Sequence, residues 1–326
     1  EQRLWRIRAG QIVTATGAIE RPLAFAGNDI PGVMLAASLR DYVVNFAVSA
    51  GDRTVVVTNN DDAYRTAIAL VGAGLVVPCI VDARTNPSGE LVARAKALGI
   101  RVATATAVIK VKGGKRVTGV QLGAQAGQGA VLEEIACDAV AMSGGWSPVV
   151  HLWSHCGGKL TWNTAQQNFR PDATRPPTGD KGTAMVVAVG AANGTMSAAE
   201  TLSDAALGAV AALRSVGFSA EVKASVAEPV TEGPMEPVWI MPQGANISLR
   251  SKMWLDYQND VKVSDVQLAA REGYESVEHT KRYTTLGMAT DQGKLSNING
   301  LAVLADALNE DIPRVGTTTF RPPYVP

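Results

Sequence analysis

The sequence predicts an α/β protein built from dinucleotide-type βαβ units, and three observations carry that prediction. Residues 53–84 give a β-branched strand, a polar turn, an apolar helix and a second apolar strand ending in an acid. A second strand-turn-helix spans 185–213, with Gly190, Ala191, Ala192, Asn193 and Gly194 in its turn. Of the 326 residues, 46% are hydrophobic, 18% charged and 5% aromatic, which is ordinary for a globular α/β chain long enough for two or three domains.

Basic and acidic residues number 30 each, so no net field draws the chain to nucleic acid or to an anionic membrane. Cofactors and protein partners are the expected ligands. The three cysteines, Cys79, Cys137 and Cys156, are odd in number and far apart. They leave neither a disulfide framework nor a C-x-x-C metal site, and a reducing cytoplasm is the simplest setting. The apolar run at 67–81 is broken by Gly and Pro and too short for a bilayer, so no transmembrane helix is expected. The opening EQRLWRIRAGQIVTATG has no charged start followed by an apolar core; it reads as a chain entered part-way through a domain rather than as a signal peptide.

Along the chain, residues 11–15 are β-prone and Thr16-Gly17 breaks the strand ahead of a Pro-containing loop. Residues 54–58 then form a strand, 59–62 a turn and 63–73 a helix. VVPCIVDAR gives a strand ending in Asp82, an acid close to the spacing that holds a ribose hydroxyl. The glycine fingerprint is missing. TNNDDA sets two carboxylates where a pyrophosphate would meet the helix N-terminus, so this domain is expected to keep the Rossmann shape without its dinucleotide. A helix over 90–98 leads into strands that pair across Gly113-Gly114, and 138–148 repeats the strand-and-turn pattern. His151, His155 and Cys156 form an H-x3-H-C run with no further ligand nearby and no acid to orient an imidazole, so packing is preferred over a metal or nucleophilic site. In the 185–213 unit, small residues and helix N–H groups offer close approach to an anion or a ribose or ribityl chain, and Asn193 can bond a hydroxyl. An ordinary strand-turn-helix is the plainer alternative. Residues 216–252, rich in Pro and Glu and without periodicity, read as a linker.

Several of these segments resemble known proteins. A-T-G-x-x-x-R-P at 15–22 resembles the crossing between domains in two-dinucleotide-domain flavoproteins of the glutathione-reductase type. The 190–194 turn resembles the motif that closes their first domain, with its usual Asp replaced. The resemblance implies a flavoprotein-like NAD-binding domain, incomplete at its start, at 1–45 and 138–215, an inserted degenerate Rossmann-like domain at 46–137, and a small helical interface domain and tail at 253–326. Between Trp254 and Asn297, the order DYQND, helix, helix, TDQGKLSN resembles the cysteine-ligated [2Fe-2S] domain of flavin amine dehydrogenases. Its ligand positions read Asp256, Gln258, Asp291 and Ser296. Iron-sulfur centres need soft thiolates, so no cluster is expected.

EGYESVEHTKRYTTLGMATDQGKLSNINGLAVLADAL followed by GTTTFRPPYVP, with SGGWSP, VGAANG and TNNDDAY, resembles the large α subunit of heterotetrameric sarcosine oxidase over essentially the whole chain. The resemblance implies oxidative demethylation of N-methylglycine to glycine, with hydrogen peroxide and either formaldehyde or methylene-tetrahydrofolate as products. It implies NAD in the α subunit, FMN at the α/β interface, FAD in the partner β subunit, and β, γ and δ subunits as partners, with no nucleic acid and no membrane. The chain is then an internal fragment, without the N-terminal glycine-rich segment and the C-terminal folate-binding domain, and inactive alone. Carried onto this sequence, the resemblance sets Gly190, Ala191, Asn193 and Met196 on the second wall of the NAD site and Gly17 near its first crossover. Lys281, Arg282 and the 317–321 loop, with Thr318, Thr319 and Arg321, become flavin or partner contacts, because a Lys-Arg pair and serial hydroxyls suit a phosphate; the alternative is a solvated basic helix face. No amine-oxidising base is expected here, and His279 reads as a surface histidine. Two other roles stay open: an interaction module of a degenerate flavoprotein, and the α subunit of a related proline- or octopine-type dehydrogenase.

Overall fold

The computed structural model describes residues 3–222 and 225–318. It divides into two compact units, one formed by 3–19 with 147–230 and one by 20–146 with 231–318. Among the described residues no helix is long and apolar enough to cross a membrane.

In the larger unit the valine-rich strand Thr54–Thr58 is buried at all five positions. That is the signature of a parallel strand covered on both faces. It lies inside a five-stranded parallel sheet ordered Val33–Leu35, Ala139–Ser143, Thr54–Thr58, Ile80–Asp82, Val102–Ala103. Helices Ala36–Phe46, Asp62–Gly72 and Glu90–Ala97 connect these strands. An antiparallel sheet, Glu133–Ile135 beside Val117–Ala124 beside Thr106–Gly113, turns at the Gly113-Gly114 hairpin. One core joins the two sheets, with Val55, Val57, Val81 and Val140 packed with Val108, Val111, Val120 and Leu122.

The domain boundaries differ from those read in the sequence. Val33–Leu35 and Ala139–Ser143, expected in the first domain, hydrogen-bond into the same sheet as Thr54–Thr58. The chain therefore passes between units after Ile19 and Trp146 rather than at 46 and 137. The expected linker is also shorter than 216–252. From Thr231 on it is built into the larger unit, where Ile240–Met241 pairs in parallel with Ala24–Phe25. The small helical part is not free-standing either. It contains the ribbon Trp254–Asp256 with Val261–Lys262 and the helices Val263–Arg271, Val277–Thr284 and Asn297–Leu308. Asn28, 2% exposed, fastens it: its Nδ2 donates to the carbonyls of Leu23 and Trp254 at 3.1 and 2.9 Å, and its Oδ1 accepts from Trp254 N at 2.9 Å. Asn299 Nδ2 donates to Pro22 O at 2.9 Å from the central helix.

In the smaller unit, Ile12–Thr14 runs parallel to Val186–Ala188. The 3-10 turn Gly190–Asn193 follows, then helix Ala198–Ser215, whose N-cap Ser197 accepts from Glu200 N. A Cβ at Gly208 would overlap the Val189 side chain, so this glycine lets the helix lie close on the strand. A hairpin, Leu160–Asn163 with Asn168–Pro171, carries Trp162 and Phe169 edge-to-face at 4.8 Å.

Asn28→Ala leaves several buried backbone groups of the ribbon unpaired. It is expected to lower stability by about 2–4 kcal/mol, measured by urea unfolding.

Candidate functional sites

In open parallel sheets the ligand crevice lies at the carboxyl ends of the strands, where the order reverses. Here the order reverses between Thr54–Thr58 and Ala139–Ser143, and Thr54–Thr58 with its neighbour Ile80–Asp82 ends beside the N-terminus of helix Asp62–Gly72. It is filled by the chain itself. Arg84 lies between two carboxylates, its Nη2 2.7 Å from Asp61 Oδ1 and 2.8 Å from Asp82 Oδ2, with all three side chains at most 2% exposed. Arg84 Nε donates to Asp82 Oδ1 at 3.0 Å, and Tyr64 Oη donates to Asp82 Oδ2 at 2.7 Å. Asp82, expected near a ribose, thus serves an internal cation and a phenol. Burial opposes the Arg84 charge, but hydrogen bonds and charge from Asp82 and Asp61 outweigh it and hold the guanidinium above its ordinary value. Burial first, and then the Asp82 charge, pushes the Tyr64 phenol up.

A strap of residues 231–236 closes over this cluster. Gly233 N donates to Asp61 Oδ2 at 2.7 Å, Arg84 Nη1 to Pro234 O at 3.1 Å, Asn59 Nδ2 to Glu236 O at 2.7 Å and Glu236 N to Asn59 O at 3.2 Å. Arg65 pairs with Glu232 at 2.6 Å. A Cβ at Gly233 would overlap the Ser88 carbonyl, so the strap can lie this close only with glycine there. Nearby, Glu20 is 4% exposed and accepts from Ala37 N at 2.8 Å. Burial pushes its carboxyl up to about 7. Arg21, also buried, is brought down to about 9 by desolvation and lies 5.4 Å from the Trp239 ring centre.

Three of the four positions expected to be ligands, Asp256, Gln258 and Asp291, are linked by hydrogen bonds. Asp256, 3% exposed, accepts from Gln258 N at 2.9 Å and Asn259 N at 3.0 Å through Oδ1, and from Gly287 N at 2.7 Å through Oδ2. Gln258 Oε1 accepts from Asp291 N at 3.3 Å, Asp291 Oδ1 accepts from Gly293 N at 3.0 Å, and Ser296 is buried. Carboxylate and carboxamide oxygens therefore gather the backbone N–H groups of both turns. Thr318, 5% exposed, accepts from Asn297 Nδ2 at 3.2 Å beside these turns. On helix Val277–Thr284, Lys281 is 3% exposed whereas Arg282 is exposed, so the two adjacent cations do not share one environment. Thr319 and Arg321 lie outside the described residues.

In the smaller unit Gly17 has a left-handed φ of 75°, and its carbonyl accepts from Val149 N at 2.9 Å. Gly190 has φ 66° and its N–H donates to Asp204 Oδ2 at 2.7 Å. Asn193 Nδ2 donates to Asp204 at 3.2 Å, which leaves its Oδ1 as the acceptor for a hydroxyl. Ala191 and Met196 are half-buried along the same turn. His151 is buried while His155 and Cys156 are exposed, and among the described residues no group of three His, Cys, Asp or Glu is placed to hold a metal.

Sequence reasoning missed Arg84, Tyr64, Asp204 and the strap. Asp204 is 14 residues past Gly190 and meets it only because the long helix folds back on the turn. The strap is 147 residues past Arg84 and carries no periodic signal.

A five-stranded parallel sheet with its crossover helices and a second strand-turn-helix unit defines the class: an α/β protein with a dinucleotide-domain fold. The same fold is seen in the crystal structure of L-proline dehydrogenase from P. horikoshii, with a TM-score of 0.66, 19% identity, and 96% of this chain and 56% of that one covered. Residues 250–326 match the Sarcosine oxidase A3 domain. Over 327 residues, all of this chain and 31% of the relative, identity is 42% to the sarcosine oxidase subunit alpha of Rhizobium meliloti (strain 1021). It is 40% over 332 residues, covering 33% of the relative, to that of Corynebacterium sp. (strain P-1). The chain is therefore a homologue of the sarcosine oxidase α subunit from end to end and spans about a third of the length of these relatives.

Arg84→Met leaves Asp61 and Asp82 buried without their cation, and is expected to destabilise the protein by about 3–5 kcal/mol in urea unfolding. Folded Glu20 keeps its proton up to about pH 7, whereas the unfolded chain releases it in the usual carboxylate range. Raising pH across that window therefore lowers stability, by about 3 kcal/mol in total. Glu20→Gln removes this slope when unfolding at pH 5 and pH 8 is compared.

Proposed function

We propose that the chain is the cofactor-organising part of the α subunit of a multisubunit sarcosine oxidase. The single observation that carries this reading is identity of 40–42% along the whole chain to proteins named as that subunit. The reaction is N-methylglycine + O2 + H2O → glycine + formaldehyde + H2O2, with the methyl carbon passing to tetrahydrofolate where folate is present. FAD and the amine site belong to a β subunit, with FMN between α and β and γ and δ subunits completing the enzyme. This chain then binds and orients cofactors rather than breaking the C–H bond.

NAD fits the smaller unit better than the larger one. The 190–194 turn carries only short side chains at Gly190, Ala191 and Ala192, and Asn193 Oδ1 meets no donor among the described residues, so Gly17, Gly190, Ala191, Asn193 and Met196 would line a nucleotide there. The crevice of the larger unit holds Arg84 and the strap, and a pyrophosphate entering it would have to displace them and meet Asp61 and Asp62. For the flavin, Arg282 and the 317–321 loop offer charge and hydroxyls, and the A3 region would act as a docking wall with no metal of its own. Nicotinamide and flavin supply hydride and electron transfer when bound; the residues here fix their orientation and keep water from them.

Native mass spectrometry of the assembled enzyme is expected to show one NAD for each α-type chain. Asn193→Leu should lower that occupancy, while Arg65→Ala, which loosens the strap, should leave it unchanged. A nucleotide-free assembly, or one without sarcosine-dependent oxygen uptake, would sink the assignment and favour a purely structural module.

A further inference from the structure

A cavity of about 190 Å3 lies in the larger unit, beside the end of strand Ile80–Asp82 and against helices Val263–Arg271 and Asn297–Leu308. Its lining includes two acids, Glu236 and Asp306, and no basic residue. Gln267, 8% exposed, lines it with a carboxamide that has no hydrogen-bond partner among the described residues. Gln125 lines it too: its Nε2 donates to Ile240 O at 3.3 Å, but its Oε1 is buried and unpartnered. Buried polar groups are nearly always paired, since an orphaned acceptor bears its full desolvation penalty. An orphaned acceptor in the wall, Gln125 Oε1, and a carboxamide open to the cavity, Gln267, together point to donors supplied from outside.

The other walls narrow the chemistry of that donor. Trp239 and Val303 give an apolar surface suited to alkyl groups, and Glu236 and Asp306 are exposed towards the mouth, where they favour positive charge. An anion would meet two carboxylates and no cation among the lining residues. A divalent metal would need a fuller oxygen shell, and among the described residues no group of three His, Cys, Asp or Glu is placed to hold one. We propose that this cavity binds a small alkylammonium compound, whose N–H groups donate to Gln125 and Gln267, whose charge faces Glu236 and Asp306, and whose alkyl groups lie on Trp239 and Val303.

The proposal stands apart from the oxidase assignment, because it is read as binding without turnover. The purified protein is titrated with dimethylammonium chloride, followed by ligand-observed NMR, with sodium acetate and calcium chloride as matched-ionic-strength controls. The expected result is saturable binding of dimethylammonium and none of acetate or calcium. Gln267→Met, which keeps the volume and removes the acceptor, weakens it about tenfold, as does Asp306→Asn on the exposed helix face. Gln267→Glu strengthens it by placing a carboxylate in the cavity. Unfolding curves confirm that each variant is folded. Acetate or calcium binding instead, no saturation with dimethylammonium, or an affinity unmoved by both Gln267→Met and Asp306→Asn would overturn the proposal.

Discussion

The larger unit is organised around one buried guanidinium. Arg84 holds Asp61, from the turn after the first central strand, against Asp82, from the end of the second, and donates to Pro234 of the strap. Removing three charges from water costs several kcal/mol per ion, which offsets much of what their mutual attraction returns. Its geometric effect is specific. It ties two strand ends to a segment 147 residues later in the chain, which sets where residues 237–256 continue and so where the cluster-like region begins. The cavity beside it follows from the same arrangement, because the strap that closes the crevice also places Glu236 and Trp239 on the cavity wall.

In residues 254–297 side-chain oxygens hold two turns together through backbone N–H groups. A thiolate cluster organises its loops by bonding iron and by accepting backbone N–H groups at its sulfurs. Asp256 does the second job without the first: one carboxylate accepts three backbone N–H groups, from Gln258, Asn259 and Gly287, and joins the opening turn to the closing one. Both carboxylate oxygens lie where backbone N–H groups converge, so each has a donor. Gln258 repeats the device towards Asp291. Side-chain oxygens thus tie the two turns together at three of the positions expected to be ligands.

Much of this was legible in local sequence. The valine run at 54–58, the helix and Asp82 appear where periodicity sets them, and so does the hairpin at Gly113-Gly114, because each is governed by neighbours in the chain. What was not legible is long-range. Val33–Leu35 is three residues with no alternation, and only its pairing with Ala139–Ser143 assigns it to the inserted sheet rather than to the first domain. The strap is rich in Pro and Glu and reads as linker because its order comes from partners on other elements, not from its own pattern. Asp204 and Asn28 carry no motif; each is a single polar side chain whose role depends on which backbone groups the fold leaves unpaired beside it.

The two strand-turn-helix units make the sharpest contrast, since they differ in what fills the turn rather than in its shape. In TNNDD, the side chains are long enough to satisfy the turn, the helix end and the strap together, and Asp61 adds a negative charge where the helix dipole is positive. That end of the sheet is electrostatically complete without a ligand. In GAANG, the turn itself carries no charge and little bulk. Asp204 reaches in from the following helix to take Gly190 N and Asn193 Nδ2. An anion approaching the first turn meets carboxylates already in place, whereas a ribose approaching the second meets an amide oxygen and bare backbone. Nucleotide chemistry in a chain with both units is therefore expected at the turn whose side chains are smallest, even though the other one sits on the more complete parallel sheet.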